Sequence, residues 1–66
     1  MQVIVNGEPR RIPEHETILG LLHYLELAPD RVAVELDREI VKKAQWDTTT
    51  LRDGAKLEIV QFVGGG

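Results

Sequence analysis

The sequence predicts a two-layer α+β domain: a mixed sheet of four to five strands with one helix packed on one face. Three observations predict it. Residues 17–25 carry apolar side chains at helical spacing, the pattern of an amphipathic helix. β-Branched runs at residues 2–5, 32–36 and 56–63 read as strands. Two-residue turn signals, Asn6-Gly7 and Asp53-Gly54, punctuate the chain. One amphipathic helix buries its stripe by lying on a sheet, which gives two layers.

Gln2-Val3-Ile4-Val5 opens the chain as a strand, and Asn6-Gly7 turns it, since both residues tolerate positive φ. Residues 8–12 return antiparallel. Pro9 has no N–H, which assigns this strand to a sheet edge. Pro13-Glu14-His15-Glu16 is a polar connector. Thr17 caps the helix through its hydroxyl, and Glu16 complements the positive end of the helix dipole. Ile18, Leu19, Leu21, Leu22 and Leu25 form the apolar stripe, and Pro29 ends the helix near Leu25 to Leu27. Val32-Ala33-Val34-Glu35-Leu36 is a third strand, Asp37-Arg38 turns, and Glu39-Ile40-Val41 is a short fourth. Residues 42–50 are irregular, with one helical turn around Ala44-Gln45-Trp46 and Trp46 as a lid over one edge of the core. Residues 56–63 form the last strand, parallel to the first and beside it in the centre of the sheet. The expected core sets Ile18, Leu21, Leu22 and Leu25 against Val3, Val5, Val34, Leu57 and Ile59.

Strand alternation then singles out the face the helix leaves open. If Val3, Val5, Leu57 and Ile59 point at the helix, Ile4, Val60 and Phe62 point away. Their expected arrangement is one apolar cluster, the form of a docking patch on a small domain. A register slip of one residue would swap the two faces.

Composition narrows the function classes. Sixty-six residues make one small domain that buries about 60% of its unfolded surface, too little for a deep internal active site. There is no cysteine, hence no disulfide and no thiolate metal site. Eight Lys+Arg against eleven Asp+Glu give a formal charge of −3, which argues against a nucleic-acid partner. Apolar runs are far too short to span a membrane, and the N-terminus lacks a signal-peptide pattern, so a cytoplasmic location is expected. His15 and His23 lack partners at metal-ligand spacing and read as solvated. Glu35, Asp37 and Glu39 alternate as a solvated strand-turn-strand face does, and Thr48-Thr49-Thr50 has no neighbouring base to make a nucleophile. No catalytic residue, no metal site and no bound cofactor is expected.

Gly64-Gly65-Gly66 is the remaining feature. A glycine run packs nothing and loses much backbone entropy if ordered. It suits a flexible tail on a 1–63 domain: without side chains it can thread a narrow channel, and three extended residues reach about 10 Å.

Taken together, Val3-Ile4-Val5-Asn6-Gly7-Glu8, Thr17-Ile18-Leu19-Gly20-Leu21-Leu22, Val32-Ala33-Val34-Glu35-Leu36 with Ile40-Val41, Trp46, Leu51-Arg52-Asp53-Gly54 and the run from Glu58 to Gly66 resemble the ubiquitin-like sulfur carriers. The nearest branch is that of thiamin biosynthesis, and the resemblance spans the chain. It implies a β-grasp fold and a carrier rather than an enzyme. Gly66 would be the sulfur-carrying residue and Gly64 and Gly65 its tether, with Ile4, Val60, Phe62 and Val63 docking partners. The implied partners are an adenylating enzyme of the ubiquitin-activating (ThiF-like) type, which uses ATP, a sulfur donor such as a cysteine desulfurase pathway, and a thiazole synthase (ThiG-like) that accepts sulfur from the C-terminal thiocarboxylate. The free carrier is expected to be a monomer, with no nucleic-acid or membrane partner. Rival readings are a molybdopterin-synthase small subunit, usually a longer chain, a protein-conjugating ubiquitin-like modifier, and a plain β-grasp interaction domain.

Overall fold

The computed structural model describes residues 1–63. Its elements run β1 (Gln2–Val5), β2 (Glu8–Arg11), α1 (Ile18–Tyr24), a 3-10 turn at Pro29–Arg31, β3 (Val32–Leu36), β4 (Glu39–Ile40), a second 3-10 turn at Lys43–Gln45 and β5 (Lys56–Gln61). The strands form one mixed sheet in the order β2-β1-β5-β3-β4. β1 and β5 are parallel, as expected, and β5 is the central strand. The expected glycine tail, Gly64 to Gly66, lies outside the described residues.

Each local signal has a physical counterpart. Asn6 and Gly7 take φ of 51° and 83°, the twist that joins β1 to β2 in a two-residue hairpin. Met1 and Ile12 exchange backbone hydrogen bonds of 2.8 and 2.9 Å, which sets the alternation along the ladder. By that alternation Pro9, opposite Ile4, falls at a non-hydrogen-bonded position. Its missing N–H therefore faces outward and weakens the free edge as a template for another strand. β4, the other edge strand, is two residues long.

The helix is capped at both ends. The Thr17 hydroxyl accepts from the Gly20 N–H at 3.1 Å. At the C-terminus the Glu26 N–H donates to His23 O at 3.0 Å and the Leu27 N–H to Leu22 O at 2.8 Å, a Schellman closure. Glu26, at φ 59°, ends the helix by reversing the chain. Pro29 comes later and opens the first 3-10 turn instead, so the helix stops at Tyr24 rather than between Leu25 and Leu27.

Val3, Val5, Ile18, Leu21, Leu22, Val34, Leu57 and Ile59 are buried as expected, while Leu25 packs half-buried on the core at the cap. Ile12, Val32, Leu51 and Ala55 complete the core from loops and strand ends. Trp46 closes one edge, 2% exposed, with its indole N–H donating to Val41 O at 2.8 Å. Glu35, Asp37 and Glu39 are exposed, and the Asp37 carboxylate accepts from the Lys56 N–H at 3.1 Å. Thr48 and Thr49 spend their hydroxyls on Gln45 O.

Candidate functional site

The open face of the sheet is built by alternation from the inside out. Val32 and Val34 on β3 and Leu57 and Ile59 on β5 bury themselves under the helix, which turns Ala33, Glu35, Glu58 and Val60 outward. Val60 is 59% exposed and Phe62 55%. β5 ends two residues earlier than expected, yet the Phe62 N–H still donates to Arg31 O at 2.7 Å, so the ladder continues one step past the strand. Val63 is exposed beyond it.

The register corrects one expectation. Ile4 shares this face but lies opposite Lys56, while Val60 lies opposite Ala33 on the other side of β5. Four residues along a strand separate the two positions, about 13 Å, so Ile4 does not join Val60 and Phe62 in one cluster. The reason is that β1 runs out at Val5 opposite Leu57 and turns away at Asn6, before it reaches Val60.

Ile40 takes the place that Ile4 was expected to fill. The two-residue turn at Asp37 and Arg38, with φ of 49° and 73°, pairs Glu35 with Ile40. Ile40 therefore stands on the open face, 78% exposed. With Ala33 and Val60 it lines a shallow apolar hollow of about 90 Å³, walled by Glu35 and Glu58. The signal was present in the sequence: a two-residue hairpin at 37–38 fixes which side chain of β4 faces which side.

Glu35 and Glu58 are paired directly across β3 and β5. Ion pairs among the described residues join Arg10 to Glu8 and Lys43 to Asp30, so neither glutamate of the hollow is neutralised by one. A larger hollow, about 450 Å³, lies on the helix side between Arg10, Tyr24, Glu26 and Gln61, away from the expected docking residues. His15 and His23 are exposed, and among the described residues no group of three His, Cys, Asp or Glu is placed to hold a metal. No helix of the described residues is long and apolar enough to cross a membrane.

The fold is thus a small β-grasp sheet whose open face carries an apolar hollow between two glutamates, with a glycine run following the central strand in sequence. The family model described as ThiS family matches residues 3–66. The chain belongs to the ThiS family. The crystal structure of thiamine biosynthesis protein ThiS from Geobacter metallireducens superposes with a TM-score of 0.85 at 36% identity, covering 100% of both chains. The sulfur carrier protein ThiS of Escherichia coli is 26% identical over 66 residues, again 100% of both. A thiazole synthase of Paramagnetospirillum magneticum is 42% identical over 66 residues, 100% of this chain. The chain spans 20% of the length of the thiazole synthases it matches. Family membership agrees with the observed fold: one helix on a five-stranded mixed sheet, with parallel β1 and β5 adjacent.

Proposed function

We propose that the protein is a sulfur carrier of thiamin biosynthesis that holds sulfur as a thiocarboxylate on Gly66. The observation that carries this reading is a family match that runs through the glycine run to Gly66. The end-to-end likeness to a protein called a sulfur carrier supports it, and favours the thiamin branch over the molybdopterin one.

The chemistry asks little of the fold. A carboxylate is a poor acylating agent. An adenylating partner transfers AMP from ATP to the Gly66 carboxylate and releases pyrophosphate. A persulfide sulfur from the donor pathway then attacks the acyl carbon and displaces AMP. Cleavage of the acyl persulfide's S–S bond by a thiol leaves the thiocarboxylate and a disulfide. The carrier contributes the reacting end and a surface by which partners hold it. No acid, base or nucleophile of its own is needed, so it acts as a co-substrate rather than an enzyme.

Docking falls to Val60, Phe62 and Val63 with Ile40 and Ala33 beside them, and Ile4 at the margin. The unneutralised Glu35 and Glu58 suit a partner that presents a basic group next to an apolar one, which chiefly speeds encounter. A segment like this whole chain occurs within proteins called thiazole synthases, which supports a thiazole synthase as the acceptor partner. A cytoplasmic site of action, where ATP is at hand for the adenylating partner, suits this reading.

Intact-mass analysis tests the reading. Incubation with ATP, the adenylating enzyme and a persulfide source is expected to add the mass of one sulfur-for-oxygen exchange, confined to the C-terminal fragment. Sulfur elsewhere on the chain, or covalent joining to lysines of other proteins, would overturn it.

A further inference from the structure

We propose that Asn6 is a positioning residue for the chemistry at the chain's end, acting through a two-point clamp on Ile59; the proposal rests on the sulfur-carrier reading. β5 is held on one side by β3 as far as Phe62, whose N–H reaches Arg31 O. On its other side β1 stops. The last backbone bond there is the Asn6 N–H to Leu57 O at 2.8 Å, after which the hairpin carries β1 away. The backbone groups of Ile59 on that side would be left bare. The side chain of Asn6 takes both: the Ile59 N–H donates to Asn6 Oδ1 at 2.7 Å, and Asn6 Nδ2 donates to Ile59 O at 3.0 Å. A side-chain amide thus stands in for one more residue of β1.

Two requirements meet at this position. The hairpin needs positive φ, which Asn and Gly accept. The clamp needs a short side chain with one donor and one acceptor, which Gly and Asp lack. The clamp therefore explains why Asn, and not merely a turn former, stands at residue 6. It grips β5 one residue before Val60 and three before Phe62, the residues that dock. With Ile59 held by Asn6 on one side and the residues flanking it paired to β3 on the other, β5 and its docking side chains keep one relative geometry as far as Phe62. A partner that seats Val60 and Phe62 then takes up the tether from a fixed origin on β5, and misplacing a reacting group by about 1 Å can cost about 100-fold in rate.

The test compares three proteins in steady-state adenylation by the ThiF-type enzyme, with amide exchange measured on each. Asn6→Gly keeps the turn and removes the clamp. Asp53→Ala is the control: it removes a similar side-chain bond, Gln2 N–H to Asp53 Oδ1 at 2.7 Å, at the opposite end of the sheet. We expect Asn6→Gly to speed Ile59 amide exchange and to lower kcat about 10-fold with KM within about twofold, since the docking side chains are intact. Asp53→Ala should keep the kcat of the unaltered protein. Equal kcat losses in the two variants would reduce the clamp to fold stability and overturn the proposal. So would an unaltered kcat in Asn6→Gly, or Ile59 exchange that does not change. If the unaltered protein is not adenylated at all, the carrier reading fails first and takes this proposal with it.

Discussion

Glu35 and Glu58 face each other across β3 and β5 on the open face, and neither forms an ion pair with a described residue. Like charges directly opposite on a sheet destabilise the pair, by about 0.2–1 kcal/mol. The arrangement is therefore unfavourable for the isolated fold, and in the proposed docking the compensating charge is the partner's. Glu35→Gln is expected to raise the denaturation midpoint and, at the same time, to slow association with the adenylating enzyme at low salt. Adding salt should shrink both effects, because exposed charges are screened. Denaturant titration and stopped-flow binding check the two signs. A variant that lost stability would show that the pair is not repulsive.

The register also ranks the docking residues. Val60→Asp and Phe62→Ala alter the apolar surface around the hollow on the open face, so each should weaken partner binding by about 1–3 kcal/mol if it acts as an anchor. Ile40→Ala should behave the same way. Ile4→Ala should have a smaller effect, since Ile4 stands beside Lys56. All four side chains face away from the helix, so the fold should survive, as circular dichroism would show. Calorimetric titration against the adenylating enzyme gives the order. An Ile4 effect equal to that of Phe62 would contradict the register argument.

The fold and half the site could be read from the sequence because they depend on local chemistry. Asn6-Gly7, Thr17 and the period-2 alternation of residues 56–60 each specify their own conformation. The lengths that missed were set by tertiary pairing. β5 ends at Gln61 because β3 begins at Val32, its partner. The helix ends at Tyr24 because Glu26 adopts a positive φ, which no glycine announces. The clustering of Ile4 with Val60 failed because alternation gives a face but not a position along it. Position required the stagger between β1 and β5, a non-local quantity. The Asn6 bonds to Ile59 were hidden for the same reason, since 53 residues separate the partners.

Glu26 offers a stability test that touches no apolar contact. A non-glycine residue at φ 59° costs roughly 1–2 kcal/mol relative to ordinary helical geometry. Glu26→Gly should relieve part of that strain, so we expect a gain of about 0.5–1 kcal/mol despite the extra unfolded-state entropy of glycine. Leu22→Ala should act in the opposite direction. Leu22 is fully buried between helix and sheet, and its truncation should cost about 2–5 kcal/mol. In so small a domain that is a large part of the total stability. Urea midpoints of both variants against the unaltered protein give the comparison. A Leu22→Ala midpoint that did not move would mean that the helix presents another face.

Gly65→Val separates the reacting end from the fold. Every buried residue among those described precedes Val60, so a substitution at residue 65 should leave the denaturation midpoint unchanged. Its effect should appear in adenylation. If Gly66 is delivered through a narrow channel of the partner, a branched side chain one residue before the carboxylate obstructs entry, and conversion should fall to background. Removing Gly66 should do the same by a different route: the carboxylate is withdrawn by one residue, about 3.3–3.6 Å, which exceeds the misplacement that an oriented reaction tolerates. A tag appended after Gly66 consumes the carboxylate as an amide and leaves nothing to adenylate at that reach. Intact mass before and after incubation distinguishes the three variants from the unaltered protein, and competition binding shows that docking persists. Docking without conversion in all three is the expected pattern. Conversion of the tagged form with its tag still attached would mean that the activated group is not on Gly66, and the carrier chemistry would have to be sought elsewhere on the chain.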